Sequence, residues 1–175
     1  MMDLKLGQTF NMGSWGGAPI KWRVLDVQDE RVLAISMCAI DSLAFCGDLK
    51  RGNAWETSDL KAWLEGAFLA GAFSPTERER IERPTCLSVD EAQRLFAGNA
   101  DRICFPTAHA VERGVFKAGE FRGYPEFGCY WWLRTPDTDP IFPRAVIVLD
   151  DGKIGSGHMI NDPWLGARPA LWLRH

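Results

Sequence analysis

The chain has 175 residues, of which 46% are hydrophobic and eight are tryptophan, and its formal net charge is −3. A chain of this length buries roughly two thirds of its unfolded surface, so we expect a single domain over residues 1–175 with an aromatic-rich core. The acidic balance provides no basic stripe for nucleic acid, and the sequence has neither an apolar signal-peptide core nor a run of membrane-spanning length. We therefore expect neither nucleic acid nor membranes as partners.

The cysteines indicate the cellular compartment. There are five, an odd number without CxxC spacing: Cys38, Cys46, Cys86, Cys104 and Cys129. Such a set is not typical of a zinc site or of a disulfide framework. Buried or half-buried free thiols are the simpler interpretation, and they favour a reducing compartment. We predict a cytoplasmic protein.

The first part of the chain has the periodicity of β-strands. Ile20, Trp22 and Val24 alternate with basic residues, which is the period of a half-buried strand. A polar turn at 28–31 separates them from the apolar run 32–36, so a hairpin is predicted. Residues 37–54 show no period and are interpreted as a loop.

Helix signals dominate the middle of the chain. Thr57 or Ser58 is expected to cap a first helix, whose apolar face recurs at helical spacing. The members of that face are Leu60, Trp63, Leu64, Ala67 and Phe68. Ser and Glu three residues apart, at 74/77 and 88/91, match capping boxes and predict two further helices. A fourth helix is predicted over 106–111.

Three nearly continuous apolar runs, 129–136, 144–150 and 166–173, make up most of the last third. Loops rich in Asp, Pro, Gly and Asn separate them. We interpret the runs as the central strands of one antiparallel sheet, with Trp132 and Trp172 facing the core and a tight turn at 150–153. The order strands, helices, strands predicts an α+β domain.

Five separated motifs of this sequence occur together in a known family. They are Trp22–Val27; Trp55–Ser58 with Leu60, Trp63, Leu64 and Phe68; Ala72–Ser74 with Glu77 and Ile81; Trp131–Pro136; and Ala167–Leu171. In this order they resemble the bacterial DUF6273 domain, a family of unknown function found alone and in larger bacterial and phage proteins. The resemblance covers residues of about 18–173.

The last two motifs are also similar to C-type-lectin-like domains of the sulfatase-modifying, formylglycine-generating type. That resemblance implies a twisted antiparallel sheet with flanking helices, first and last strands close together, and a loop-rich face for ligands. The formylglycine-generating enzymes carry a cysteine pair near the end of the domain. Here the last cysteine is Cys129, so their copper-dependent chemistry is not expected.

Two arginines, Arg134 and Arg168, fall inside apolar strands, where an isolated guanidinium is costly to desolvate. We expect each to pair with a carboxylate such as Glu56 or Asp150 and to tie a helix to the sheet. Anion capture by a bidentate guanidinium is the functional alternative.

The sequence offers candidates for two further kinds of site, a cysteine nucleophile and a calcium site. Cys104 precedes the predicted helix that carries His109, and a thiolate beside a base is the requirement for a cysteine nucleophile; ordinary packing explains most such pairs. Oxygen-bearing side chains also crowd the last loops, and Ca²⁺ prefers oxygen ligands. They are Asp137, Asp139, Asp150, Asp151, Asn161 and Asp162. Because these residues also form turns, we predict no cofactor and keep calcium as an alternative.

Aromatic side chains accompany the same loops, 136–143 and 155–166, and rigid rings supply contact area at low entropic cost. The predicted ligand-binding residues are Tyr124, Tyr130, Asp137, Asp139, Asn161, Asp162 and Trp164. The leading hypothesis is a non-enzymatic module that binds a protein or a glycan. A metal- or thiol-dependent enzyme and a structural accessory domain are the alternatives, because fold does not fix function.

Overall fold

The structure, a computed structural model, describes residues 4–138 and 141–174. In these ranges the strands are β1 (Thr9–Trp15), β2 (Ala18–Val27), β3 (Arg31–Ser36), β4 (Asp41–Ser42), β5 (Ile81–Thr85), β6 (Trp131–Pro136), β7 (Arg144–Val148), β8 (Ile154–Met159), β9 (Gly166–Ala167) and β10 (Ala170–Arg174). The helices are α1 (Asp59–Trp63), α2 (Leu69–Ala72), α3 (Pro75–Arg80), α4 (Val89–Leu95), α5 (Asn99–Arg102), α6 (Ala108–Glu112) and α7 (Ala118–Phe121). A π-helical turn, Leu64–Phe68, joins α1 to α2, and Leu49–Arg51 and Trp55–Thr57 are 3-10 turns. The α+β class is confirmed.

The strands form two five-stranded sheets, in the orders β1-β2-β3-β10-β5 and β4-β9-β6-β7-β8. The prediction of one sheet for the three C-terminal runs is therefore wrong. β6 and β7 pair antiparallel, with Trp132 opposite Ile147, but β10 lies in the other sheet between β3 and β5. β1 and β10 share that sheet but are separated by two strands, so the first and last strands are not neighbours.

Burial on both faces explains why β3 and β10 lack the alternation of apolar and polar residues that is typical of a half-buried strand. In β3, Val32 and Ala34 belong to one apolar core cluster, whereas Leu33 and Ile35 belong to a second cluster. β10 divides between the two clusters in the same way. Neighbouring residues of a strand point to opposite faces, so a strand covered on both sides reads as a continuous apolar run. Trp132 and Trp172 are both buried, as predicted.

The helix caps and the turn at 150–153 that were predicted from the sequence are present in the structure. The Ser58 hydroxyl accepts the backbone N–H of Lys61 at 3.1 Å and caps α1. The capping boxes that begin at Ser74 and Ser88 are both complete. The turn after β7 closes through the backbone N–H of Leu149, which donates to the carbonyl of Lys153 at 2.8 Å. These caps and turns satisfy backbone groups that would otherwise lack partners.

Other segments differ from the predictions. β8 occupies the first part of the predicted loop 155–166, and β5 follows α3 directly where no strand was predicted. β4 lies within the predicted loop 37–54 and pairs with β9 through only two residues. Such short pairings depend on the partner strand rather than on local sequence. None of the helices in the described ranges is long and apolar enough to cross a membrane.

Candidate functional site

An array of aromatic rings runs across one part of the surface, with Trp164 at its centre. The Trp164 ring lies 5.8 Å from that of Phe116, 6.0 Å from that of Tyr130 and 4.8 Å from that of His158, measured between ring centroids. The backbone N–H of Phe116 also donates to the Trp164 carbonyl at 3.0 Å. The turn after β8 is thus fixed against the segment that leads into α7.

The array extends to a more exposed ring on α7. Phe121 lies 5.2 Å from Phe116, and the two side chains are 78% and 40% exposed. An open cavity of 440 Å³ is lined by Gly114, Val115, Phe116, Lys117, Glu120 and Phe121. Lys117 and Glu120 form an ion pair at its edge. A short helix therefore presents apolar rings bordered by charge.

Arg122 links this array to Tyr124. Its guanidinium nitrogen donates to both carboxylate oxygens of Asp150 at 3.0 Å, and Asp150 is fully buried. The charge of Asp150 raises the pKa of Arg122, and a hydrogen bond to Tyr130 acts in the same direction. The Tyr124 ring lies 5.9 Å from the Arg122 guanidinium and 5.3 Å from the Phe127 ring. We call the set Phe116, Phe121, Tyr124, Tyr130, His158 and Trp164 the aromatic surface.

Only some of the polar residues predicted for the site lie beside the aromatic surface. Asp162 hydrogen-bonds to Nδ1 of His158 and so borders the aromatic surface. Asn161 is exposed in the same turn. Asp137 instead closes its own loop, because its carboxylate accepts the backbone N–H groups of Gly157 and Thr138, both at 2.6 Å. Asp139 lies outside the described residues.

The structure therefore brings Tyr124, Tyr130, Asp162 and Trp164 to one surface with Asn161 nearby, and it gives Asp137 a different role. Sequence reasoning missed Phe116, Phe121 and His158. Phe116 lies two residues before the four-residue helix α7, and Phe121 is its last residue. The segment shows no period in the sequence, so the only signal for either residue was an aromatic side chain in a Gly- and charge-rich stretch.

The expected ion pairs form with other partners. Arg134 pairs with Glu91, at 2.5 Å, and donates to the carbonyl of Cys86. Glu56 pairs with Lys61, and Asp150 pairs with Arg122. The expected carboxylate partners were wrong because the partner of each arginine depends on which element packs beside it, and the sequence pattern does not specify that packing. Arg134 does tie a helix, α4, to a strand, β6.

Arg168 departs further from the prediction. It is 3% exposed and pairs with no carboxylate among the described residues. Its guanidinium donates to the carbonyls of Ser36 and Arg102, at 3.0 and 3.2 Å. It also lies 4.7 Å from the centroid of the Trp131 ring. Carbonyl oxygens and a ring face take the place of the expected counterion.

The five cysteines are all free thiols, as predicted, and all but Cys38 are buried. The structure does not support Cys104 with His109 as a nucleophile and base. Cys104 hydrogen-bonds with Cys129, whereas Nε2 of His109 lies 3.8 Å from a carboxylate oxygen of Asp41. The Cys104 thiol also has no exposed surface, so a substrate larger than a few atoms does not reach it.

Asp41 is the centre of a polar cluster that sequence reasoning missed. It is 4% exposed and accepts the indole N–H of Trp15 at 2.8 Å and the backbone N–H of Ser42 at 2.7 Å. Nε of Arg113 lies 3.5 Å away. Both carboxylate oxygens therefore accept a hydrogen bond, and we interpret the cluster as a structural link between β1, β4 and α6.

The described acidic residues of the last loops each have their own partner. Each carboxylate has a different partner: backbone N–H groups for Asp137, Arg122 for Asp150, Lys153 for Asp151 and His158 for Asp162. Within residues 4–138 and 141–174, no three His, Cys, Asp or Glu side chains are grouped as metal ligands. Calcium needs six or more oxygens around one point, and calcium binding by these loops stays a prediction.

Comparison with known proteins gives a family. The family described as a domain of unknown function, DUF6273, matches residues 86–175. That segment is half of the chain, runs from the end of β5 to the C-terminus and includes every residue of the aromatic surface. The resemblance inferred from the motifs is confirmed over this segment. No curated protein and no solved structure matches the chain.

Proposed function

This chain belongs to the DUF6273 family, and we propose that it is a non-enzymatic binding module whose aromatic surface docks against a protein partner. One observation carries the proposal: five rings from three separate segments, 116–121, 130 and 158–164, lie in one connected array, and Arg122 links Tyr124 to it. Contiguous aromatic side chains at a surface are typical of interaction sites.

The exposure of the rings favours a protein partner. Phe116 and Phe121 carry no hydrogen-bonding group, and their exposed area is released from water only when another apolar surface covers it. Aromatic residues and arginine are enriched at the energetic centres of interfaces. Here Arg122 lies beside Tyr124, and the ion pair of Lys117 with Glu120 provides a polar rim.

The surface is also held in one arrangement. Trp164 contacts three other rings, and the backbone bond from Phe116 fixes its segment. Side chains that are ordered before binding lose less entropy when the partner arrives. In this proposal the two sheets serve as a C-type-lectin-like scaffold, and the protein acts in the cytoplasm.

A glycan is the second candidate ligand, and a separate observation favours it. Trp164 is half-buried next to Asp162, and Asn161 is exposed in the same turn. An aromatic face beside carboxylate and amide groups matches the apolar C–H face and the hydroxyls of a sugar. In contrast to the protein hypothesis, this one leaves Phe121 outside the contact.

The experiment screens the full chain against a displayed random-peptide library and a glycan array. The comparison protein carries Phe116→Ala, Phe121→Ala and Trp164→Ala. The matched control is Phe105→Ala, because Phe105 is 47% exposed but has no ring contact with the aromatic surface. We expect peptides that bind the wild type and the control but not the triple variant. Glycan hits lost with Trp164→Ala alone would select the second candidate, and peptides that bind all three proteins equally would contradict the proposal.

A further inference from the structure

A buried positive charge lies next to three of the five thiols. Arg168 is 3% exposed and has only carbonyl oxygens and aromatic rings as direct partners among the described residues. Its charge acts on Cys38, Cys104 and Cys129. A buried cation is stabilised by an anion nearby. The charge of Arg168 also acts on the Asp101 carboxylate, which is paired with Arg23, and a thiolate is a further anion that this environment can stabilise.

Cys104 and Cys129 are in direct contact. The backbone N–H of Cys129 donates to the Cys104 carbonyl at 2.8 Å, Sγ of Cys129 lies 3.4 Å from the same oxygen, and the two thiols hydrogen-bond. Gly128 makes this approach possible, since a Cβ there would lie 2.0 Å from the Cys104 carbonyl oxygen. The two residues are therefore held side by side, as a disulfide between them requires.

The two thiols differ in acidity. Burial raises the pKa of Cys104, but the hydrogen bond from Cys129, the charge of Arg168 and the backbone N–H of Ala39 outweigh it, and the pKa falls to about 7. The hydrogen bond to Cys104, together with burial, raises the pKa of Cys129. At neutral pH, Cys104 therefore carries much of the thiolate, and Cys129 stays protonated.

We propose that Cys104 and Cys129 form a redox site in which hydrogen peroxide converts the dithiol into an intramolecular disulfide. The Cys104 thiolate attacks one peroxide oxygen, the O–O bond breaks, and the departing hydroxide takes a proton to give water and a Cys104 sulfenic acid. The sulfur of Cys129 then attacks that of Cys104, the S–O bond breaks, and the Cys129 proton leaves with the hydroxyl as a second water. Two thiols are oxidised by two electrons, and one peroxide is reduced to two waters.

The surroundings select a small oxidant. Cys104 and Cys129 have no exposed surface, so a bulky disulfide reagent does not reach them. A cavity of 90 Å³ is lined by Met37, Cys38 and Thr107 among others, and the Met37 carbonyl oxygen lies 4.0 Å from Sγ of Cys104. Hydrogen peroxide is little larger than water, and a cavity of this size holds water.

The test treats the folded full chain with hydrogen peroxide, blocks the remaining thiols and maps the disulfides by mass spectrometry of the digest. We expect a peptide linked through Cys104 and Cys129, and an intact mass lower by two hydrogen atoms. Cys38→Ala should retain the link, and so should Cys86→Ala, a matched control because Cys86 is also fully buried but burial raises its pKa to about 12. A link through Cys38 or Cys86 in place of this one, or no link in the folded protein, would overturn the proposal.

The pH dependence provides a second test on the wild type, which avoids any variant that fails to fold. We expect the rate of linkage to rise through pH about 7 and to fall about tenfold per pH unit below that value. In Cys129→Ser, Cys104 should accumulate as a sulfenic acid that a dione reagent traps. A rate that rises only through pH about 9, the ordinary range of a thiol, or the absence of trapped sulfenic acid in folded Cys129→Ser, would contradict the assignment.

Discussion

Phe116 and Trp164 are joined in two ways: the backbone N–H of Phe116 donates to the Trp164 carbonyl at 3.0 Å, and the two rings meet edge to face at 5.8 Å. The residues are far apart in the sequence and belong to different loops. Their contact is therefore a product of the fold. It places the segment before α7 next to the turn after β8, and it makes one surface from residues that no local pattern connects.

A buried hydrogen bond of Trp132 gives the first prediction. This side chain is fully buried, and its indole N–H donates to the Leu43 carbonyl at 2.8 Å. Trp132→Phe keeps most of the apolar volume but leaves that carbonyl without its partner, so we expect a loss of about 1–3 kcal/mol in the free energy of unfolding. The measurement is the urea midpoint, with Trp63→Phe as the control at a half-buried tryptophan of the same core cluster. An equal loss in both variants would contradict the role of the Leu43 bond.

The ion pair of Glu91 with Arg134 predicts a dependence of stability on pH. Burial raises the pKa of Glu91, but the hydrogen bonds from Arg134 and from the backbone of Ser88 outweigh it, so the pKa in the folded protein lies below its ordinary value of 4.5. The stabilisation is complete above that value and is lost as the pH falls through the lower, folded pKa. We expect the free energy of unfolding to fall more steeply between about pH 5 and pH 3 in the wild type than in Glu91→Gln.

Replacement of the partner separates this pair from the other carboxylates that titrate in the same range. Arg134→Gln removes the cation that holds the Glu91 carboxylate, so it should reduce the same acid-range dependence. Chemical unfolding at a series of pH values gives both slopes. If Glu91→Gln keeps the slope of the wild type, the pair does not contribute as described.

Close backbone approach at Gly128 gives a third prediction. A Cβ at this position would lie 2.0 Å from the carbonyl oxygen of Cys104, which is backbone and cannot move aside. Gly128→Ala should therefore destabilise the protein by about 2 kcal/mol or more. Gly66→Ala is the control, since a Cβ there meets nothing within 4 Å and a helical Gly→Ala change stabilises by up to about 1 kcal/mol. Thermal unfolding that shows no difference between the two variants would contradict the close packing of residues 104 and 128.

Local signals in the sequence were sufficient for part of the fold. The capping boxes at Ser74 and Ser88 depend only on residues three apart, and the hairpin of β2 and β3 depends on alternation beside a polar turn. Both could be predicted because the stabilising groups are neighbours along the chain. Trp131–Pro136 and Arg144–Val148, two of the three apolar runs assigned to one antiparallel sheet, do pair antiparallel.

Long-range arrangement could not be predicted in the same way. The run Ala170–Arg174 is apolar on both faces, so its pattern does not state which sheet it joins. The partner of Arg134 depended on where α4 packs, and the neighbours of Trp164 depended on where α7 lies. Tyr130, Asp162 and Trp164 were predicted because they fall close to loops, whereas Phe121 had no period or motif to identify it.

The affinity of a selected peptide for Phe121→Ala, measured beside Phe105→Ala, tests the central claim most directly. Phe121 is 78% exposed and Phe105 is 47% exposed, so neither change should alter the fold. Truncating an aromatic residue at the centre of an interface costs about 2 kcal/mol or more, which is roughly a 30-fold weaker Kd. The account predicts a loss of that size for Phe121→Ala and less than about a twofold change for Phe105→Ala. Equal affinities for the two variants and the wild type would contradict it.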